Sequence, residues 1–255
     1  MQFSANLGFL WKSIPLMDAI ATAARAGFDA VECHWPYSHD PGDVKSALDT
    51  TGLEMLGLNT WPGDFEQGER GLNALPDRVS EAREVIDQAL AYAAAIDCRS
   101  IHAMAGITSD DRSYTTYIDN LCYAAERGSD QGAQILIEPI NTFDMPGYFL
   151  HSTATAMQVL ADVNATNVRL MFDCYHVERM EGQTAQRLEA LLEHVGHIQI
   201  ASVPGRNEPD LGDLDYGPLF AVLRSKGYNR PIGAEYVPVD TEESGLDWLQ
   251  AFQKN

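Results

Sequence analysis

Short apolar runs, many of them rich in Val and Ile, alternate along the chain with longer amphipathic stretches. This alternation is typical of parallel strands joined by helical crossovers. Eight such runs can be counted, and strands are predicted at FSANLGF, AVECHW, EMLGLNT, SIHAMAG, QILIEPI, VRLMFDC, HIQIASV and PIGAEYV. Eight βα units in succession predict an α/β fold, the closed (β/α)8 or TIM barrel.

A doubly wound open sheet is the alternative arrangement of alternating strands and helices. It is disfavoured because no glycine-rich G-x-G-x-x-G turn follows the first predicted strand, so no dinucleotide cofactor is expected. The length of 255 residues fits one α/β barrel, and neither a long linker nor a low-complexity tract divides the chain. We therefore predict a single catalytic domain that covers residues 1–255.

The chain is strongly acidic, with 37 Asp and Glu residues against 17 Lys and Arg residues and a formal net charge of -20. A surface of this charge repels polyanions, so nucleic acid is not expected as a partner. Neither a targeting segment nor an apolar run of about eighteen residues is found, so no membrane association is expected. The four cysteines are widely separated and form no C-x-x-C pair, which favours a reducing cytoplasm.

Four polar residues interrupt the last part of four successive apolar strands: Glu138, Asp173, Gln199 and Glu235. The carboxyl ends of TIM-barrel strands carry the catalytic groups, so these side chains are expected to meet. Carboxylates among apolar neighbours need a cation or hydrogen bonds, because a desolvated, unpaired charge costs several kcal/mol. The only basic residue in these strands, Arg169, lies at the opposite end. We therefore predict a divalent metal ion, and the all-oxygen ligand set favours Mg²⁺ or Mn²⁺ over zinc.

Each of these acids taken alone has a simpler explanation. A carboxylate at the end of a strand can cap the following helix or form a local ion pair. A succession of four polar residues on four neighbouring strands is harder to explain in this way, and it favours the metal-site hypothesis.

Six segments of the chain resemble the hydroxypyruvate isomerase family, within the wider group of xylose isomerase-like TIM barrels. They are AGFDAVE, GERGLNALPDRV, IEPINTFDMPGYFL, FDCYHVERMEG, HIQIASVPGRNEPDLGDLDY and GAEYVP, and they extend over nearly the whole chain. The resemblance implies that the four strand-end residues bind the metal ion, and that Glu138 and Glu235 also accept and donate the proton. It further implies that His176 and Arg206 face the substrate.

Alternatives remain open for the residues assigned to the substrate. His176 could simply be held by the turn that follows its strand, and Arg206 could be a solvated loop cation. Two further polar residues, His102 and Asn59, end predicted strands and are expected to line the substrate pocket, and Glu32 is a third polar residue at a strand end. Each of the three, taken alone, could instead be a polar residue satisfied by local hydrogen bonds.

Three positions depart from the family pattern in ways that affect the substrate. Phe143 stands where arginine is common, Asn207 where histidine is common, and Val237 where lysine or arginine is common. The lost charges weaken any site that must hold a substrate carboxylate, unless Lys12 or Arg206 compensates.

The resemblance implies a metal-dependent aldose-ketose isomerase of a small sugar acid, acting on hydroxypyruvate or a 2-oxo-tetronate through a cis-enediolate. A ketose 3-epimerase or isomerase of an uncharged sugar is the alternative. From a different class comes a metal-dependent phosphodiesterase or repair endonuclease, but such enzymes need more histidine ligands and a basic face. A sugar-binding protein without catalysis is disfavoured because both glutamates are retained. The resemblance also implies a homo-oligomer, either a dimer or a tetramer.

Overall fold

The sheet at the centre of the molecule is built from short parallel strands. The computed structural model describes residues 1–242 and 245–254. Nine strands form one sheet in these ranges: β1 (Phe3–Asn6), β2 (Ala30–Glu32), β3 (Glu54–Met55), β4 (Leu58–Asn59), β5 (Ser100–His102), β6 (Gln134–Ile137), β7 (Val168–Asp173), β8 (Val195–Ile200) and β9 (Ile232–Ala234). Strand β1 pairs with β2 on one side and with β9 on the other, so the first and last strands are neighbours. The predicted TIM barrel is confirmed.

The third predicted strand is divided into two short pieces, and this accounts for the ninth strand. Strand β3 pairs with β2, whereas β4 pairs with β5. Between the two pieces, the Leu56 N–H donates to the Val31 carbonyl at 2.8 Å and the Cys33 N–H donates to the Gly57 carbonyl at 3.1 Å. Backbone hydrogen bonds therefore continue across the break and close the barrel.

Helices cover the outside of the barrel and connect its strands. The described residues contain α1 (Leu16–Ala26), α2 (Pro41–Thr51), α3 (Val79–Ala95), α4 (Ser113–Ser129), α5 (Thr153–Val163), α6 (Cys174–Met180), α7 (Thr184–Leu191), α8 (Tyr216–Ser225) and α9 (Asp247–Gln253). Helix α5 begins at a Ser152 cap, whose hydroxyl accepts a hydrogen bond from the Thr155 N–H at 3.1 Å. Helix α1 ends at Gly27, whose φ of 91° is readily adopted only by glycine.

Two long loops follow strands at the carboxyl end of the barrel and are joined to the loop after β5. Gly71 forms a backbone bridge to Ala105, and Ile107 forms one to Tyr148. A Cβ atom at Gly71 would lie 2.5 Å from the Met104 carbonyl oxygen, so only glycine permits this approach. The bridges hold both loops above the strand ends, where a TIM barrel places its functional groups.

The apolar core consists mainly of one cluster of buried side chains that fills the space between sheet and helices. No helix of the described part of the chain is long and apolar enough to cross a membrane.

Candidate active site

The four strand-end residues that interrupt the apolar pattern lie at the carboxyl end of the barrel. Glu138 and Glu235 directly follow β6 and β9, Asp173 ends β7, and Gln199 lies in β8. Asp173 is the register partner of Gln199, so these two side chains start from the same level of the barrel. All four are buried, with exposed fractions of 8% or less. The sheet therefore gathers three carboxyl groups and an amide in one enclosed space.

Glu138, Asp173 and His176 form the tightest group in this space. Each offers one ligand atom, and these atoms all lie within 4.8 Å of one another, which is close enough to hold a metal ion. His176 Nε2 is 3.5 Å from Asp173 Oδ2 and 3.7 Å from Glu138 Oε1. Asp173 also caps helix α6, because its Oδ1 accepts a hydrogen bond from the Tyr175 N–H at 2.8 Å. The capping role and a ligand role thus fall on different oxygens of one carboxylate.

The tautomer of His176 follows from its contact with Asn141. The Asn141 amide oxygen accepts hydrogen bonds from the N–H groups of Phe143 at 3.1 Å and Asp144 at 2.9 Å, so the amide nitrogen must face His176 Nδ1 at 2.7 Å. Nδ1 is then the acceptor, and Nε2 carries the hydrogen that points toward the carboxylates. Burial, followed by the charge of Arg206, holds the pKa of His176 well below its ordinary value. A neutral donor of this kind suits a substrate oxygen better than a metal ion.

Arg206 is the cation of the site. Its Nη2 atom donates to Glu235 Oε1 at 2.6 Å and to Asp173 Oδ2 at 3.3 Å. The guanidinium also lies 4.7 Å from the ring centre of Phe9 and 5.0 Å from that of Tyr175, which fixes its plane by cation–π contact. Arg206 is therefore not a solvated loop cation, which was the alternative left open for it.

Glu235 is held at both of its oxygens. Oε1 accepts from Arg206, and Oε2 accepts from Asn6 Nδ2 at 2.7 Å and from the Gln199 amide nitrogen. The same amide nitrogen donates to Glu32 Oε2 at 3.2 Å. Through Arg206, which also donates to Asp173, Glu235 is linked to the group formed by Glu138, Asp173 and His176.

Burial dominates the ionisation of the carboxyl groups. It raises the pKa of Glu138 well above its ordinary value, and the neighbouring charges of Glu235 and Asp173 act in the same direction. Burial also raises the pKa of Glu235 to about 8, although the charge of Arg206 opposes the shift. One arginine therefore does not compensate three carboxylates, and the site retains a demand for positive charge.

The donor set fits a hard divalent cation. Glu138 Oε1 and Gln199 Oε1 are buried acceptor atoms with no hydrogen-bond partner, and a buried oxygen without a partner is costly. Because the Gln199 nitrogen is committed to two carboxylates, its oxygen is the atom left for another ligand. Carboxylate and amide oxygens are the ligands that Mg²⁺ and Mn²⁺ prefer. The residues present thus fit a metal ion of this type.

The two predicted pocket residues end β4 and β5, the strands that continue the sheet beside β6. His102 is buried, and its Nδ1 atom is 3.5 Å from Glu138 Oε2, although neither ring nitrogen forms a hydrogen bond. Burial lowers the pKa of His102 to about 3, so the ring is neutral. Asn59 is half-buried and lines a small interior cavity together with His102, Glu32 and Gln199. Both residues therefore face the enclosed space, but only His102 approaches a carboxylate of the site.

Residues 20–252 match the model of the protein family described as a xylose isomerase-like TIM barrel. The chain belongs to this family. It is 43% identical to the 2-oxo-tetronate isomerase of Cupriavidus necator, with 98% of each chain covered. It is also 36% identical to the hydroxypyruvate isomerase of Escherichia coli, with 99% of this chain and 100% of the relative covered. The predicted relationship to the hydroxypyruvate isomerases is confirmed.

A solved structure of another xylose isomerase-like barrel shares the architecture closely. It is described as an AP endonuclease of family 2 from Brucella melitensis, and it is 40% identical with a TM-score of 0.95 over 98% of each chain. The agreement extends over the whole described barrel, so the order of strands and helices is a property of the family.

Several residues around the site were not among the predicted site residues. Glu235 accepts a hydrogen bond from Asn6, and His176 is bonded by Asn141. Glu32, noted only as a polar strand end, is bonded by His197. His197 could have been found from its spacing, because residues two positions apart on a strand face the same side and His197 lies two positions before Gln199. Asn6 and Glu235 are 229 residues apart, and nothing in the sequence alone indicates their contact.

Proposed function

We propose that the chain is a divalent-metal-dependent isomerase that interconverts an aldose and a ketose form of a small sugar acid, either hydroxypyruvate or a 2-oxo-tetronate. The observation that carries the proposal is the enclosed group of Glu138, Asp173, Gln199 and Glu235, in which two oxygens are buried without partners. The isomerase class agrees with the names of the two relatives described above.

The metal ion, when bound by these four residues, supplies Lewis-acid polarisation of the substrate carbonyl and the neighbouring hydroxyl. The protein supplies the proton transfer. Glu138 follows β6 and Glu235 follows β9, so the two carboxyl groups approach a substrate from different walls of the barrel. We assign them jointly as base and acid, which remove a proton from one carbon and return it to the next through a cis-enediolate.

The remaining side chains orient the substrate and exclude water. His176 presents Nε2–H beside Asp173 and Glu138, so it can donate a hydrogen bond to a substrate oxygen. Arg206 donates to Asp173 and Glu235 and is flanked by the rings of Phe9 and Tyr175. If these carboxylates held a metal ion, the guanidinium would be free to pair with a substrate carboxylate.

A positively charged side chain lies beside Phe143, one of the three positions that depart from the family pattern, and this supports a substrate that carries a carboxylate. The guanidinium of Arg179 lies 4.9 Å from the ring centre of Phe143, where arginine is common in the family. The other two departures contact each other, because Asn207 Nδ2 donates to the Val237 carbonyl at 2.8 Å. Positive charge is thus present at the edge of the site near Phe143, and it comes from a neighbouring helix.

The test is solvent deuterium exchange at the carbon next to the substrate carbonyl, followed by NMR with and without Mn²⁺. Exchange should require the metal ion and fall at least a thousandfold in Glu138→Gln and Glu235→Gln, on the order of the loss of a general base. Glu208→Gln is the matched control, because Glu208 is equally buried but bonds to the Val239 N–H outside the site. Unimpaired exchange in both site variants refutes the assignment.

A panel of hydroxypyruvate, 2-oxo-tetronates and uncharged ketoses decides the substrate class. Activity confined to the uncharged ketoses would replace the sugar-acid assignment with an epimerase or isomerase of neutral sugars. Cleavage of abasic DNA would instead favour a nuclease, against which the net charge of -20 argues.

We also propose that the protein forms a dimer or tetramer, acts in the cytoplasm on small molecules and does not bind nucleic acid. Exposed apolar side chains near the site support an interface, and Trp61 and Val239 are 43% and 60% exposed. All four cysteines are free thiols, which supports a reducing compartment. Light scattering on the purified protein measures the assembly.

A further inference from the structure

The interior of the barrel contains a second carboxylate network beneath the proposed metal site. Glu32, at the end of β2, is only 5% exposed and is surrounded by donors. Its Oε2 accepts from His197 Nε2 at 2.9 Å and from Gln199 Nε2 at 3.2 Å, and its Oε1 accepts from the Ser4 hydroxyl at 3.2 Å. Three hydrogen bonds from three side chains hold this buried carboxylate in one orientation.

The arrangement is made possible by the absence of a side chain at position 233. Gly233, in β9, faces the same space, and a Cβ atom there would lie 2.1 Å from Glu32 Oε1 and 2.9 Å from His197 Nε2. The glycine backbone is not in the left-handed region, so the requirement for glycine at this position is one of room. The fold therefore reserves volume in the barrel for this carboxylate.

Glu32 determines which atom of Gln199 points away from it. An amide group has a donor nitrogen and an acceptor oxygen on the same carbon, and the two exchange places when the group turns over. The nitrogen donates one hydrogen to Glu32 and the other to Glu235, so both hydrogens are used. A carboxylate cannot donate, and turning the amide would place an oxygen against two carboxylate oxygens. The neighbouring carboxyl groups therefore permit only the observed orientation of the Gln199 amide, in which Oε1 is buried and has no hydrogen-bond partner.

We propose that Glu32 is a positioning residue that fixes the Gln199 amide with its oxygen presented to the metal ion. The inference rests on the proposed function, because it requires Gln199 to be a ligand. Glu32 itself contacts neither substrate nor metal in this assignment. A ligand held by a hydrogen-bonded neighbour loses affinity when that neighbour is removed, commonly by a factor of about 10 to 100.

The test measures the Mn²⁺ dissociation constant of metal-free protein by electron paramagnetic resonance, which detects free Mn²⁺. Glu32→Gln can donate to the amide oxygen, which leaves Glu235 alone to orient the amide, and we expect Mn²⁺ to bind about 10 to 100 times more weakly. Ser4→Ala is the matched control, because it removes a bond to the same carboxylate without touching Gln199. It should change the dissociation constant less than about threefold, because Gln199 keeps both of its carboxyl partners.

Gln199→Ala separates the two levels of inference. If this variant binds Mn²⁺ as well as the original protein, Gln199 is not a ligand, and both the ligand set and the role of Glu32 are wrong. If Gln199→Ala binds weakly but Glu32→Gln does not, only the positioning role fails. Should Glu32→Gln not fold, Glu32→Asp keeps the charge but withdraws the carboxylate from the Gln199 amide nitrogen. It should weaken Mn²⁺ binding by about tenfold, and unchanged binding in a folded Glu32→Asp overturns the proposal.

Discussion

Removal of the Arg206 cation should destabilise the metal-free protein far more than the metal-bound protein. The Arg206 side chain is 18% exposed, and its partners Asp173 and Glu235 are 1% and 11% exposed, so the ion pairs are shielded from water. Removing one partner of a buried ion pair costs about 3–5 kcal/mol, because the other charge is left uncompensated. Burial raises the pKa of Glu235 to about 8 even beside Arg206, so at pH 7 the neutral carboxyl is already favoured, and the loss in Arg206→Met stays near the lower limit.

A loss of about 3 kcal/mol lowers the melting temperature of a protein of this size by roughly 6–12 °C. Saturating Mn²⁺ supplies the missing charge to the same carboxylates, so the decrease should shrink to less than about half of this value. Thermal unfolding followed by circular dichroism, with EDTA or with Mn²⁺, measures both numbers.

The control for this experiment is Arg78→Met. Arg78 pairs with Glu69 at 2.7 Å and with Glu81 at 2.5 Å, but its side chain is 34% exposed and lies outside the site. Its loss should cost about 1 kcal/mol or less, equally with and without Mn²⁺. An equal decrease for Arg206→Met in both conditions, or none in the metal-free protein, would refute the idea that Arg206 substitutes for the metal ion.

Four further outcomes are expected. Because the pKa of Glu235 is raised to about 8, Mn²⁺ must displace a proton from this carboxyl group at neutral pH. The Mn²⁺ affinity should therefore increase up to about tenfold per pH unit from pH 6 to about 8. A constant affinity in calorimetric titrations over this range would contradict the prediction. By the same shift, the free energy of unfolding of the metal-free protein should decrease as the pH rises through 8, as urea titrations can show. Arg179→Met should raise the KM for an acid substrate about fivefold to tenfold without changing the KM for a neutral ketose, and equal effects on both would exclude a role in carboxylate binding. Gly71→Ala should lower the free energy of unfolding by about 1–3 kcal/mol, because the φ of Gly71 is 120° and a Cβ atom would meet Met104. Gly132→Ala is the control, since Gly132 has a φ of 65° but open space around it, and urea titration should show a smaller loss.

The strands could be predicted from the sequence because each is a short apolar run bounded by polar residues or glycine. The break at Leu56 and Gly57 could not, since it depends on how β3 and β4 pair with different neighbours. Strand lengths were also overestimated, because residues such as Glu138 and Glu235 follow their strands and have left the hydrogen-bonded ladder. Apolar character continues into these segments, and the sequence therefore does not mark where pairing stops.

The four proposed ligands could be chosen from the sequence because a carboxylate among apolar residues is unusual in a strand. Their hydrogen-bond partners could not. Arg206 reaches Glu235 only because its loop folds back, with a φ of 55° at the arginine itself. The pairing of Glu32 with His197 joins residues 165 positions apart across the barrel interior. Neither contact follows from local periodicity, since both depend on closure of the sheet.

The bond between Asn6 and Glu235 joins β1 to the segment after β9, and the two residues are 229 positions apart. Since a ribosome releases the amino-terminal end of a chain first, β1 is made long before β9 arrives beside it. Glu235 leaves the ribosome after Glu138, Asp173 and Gln199. A nascent chain therefore cannot bring the four proposed ligands together until β9 has emerged and paired with β1.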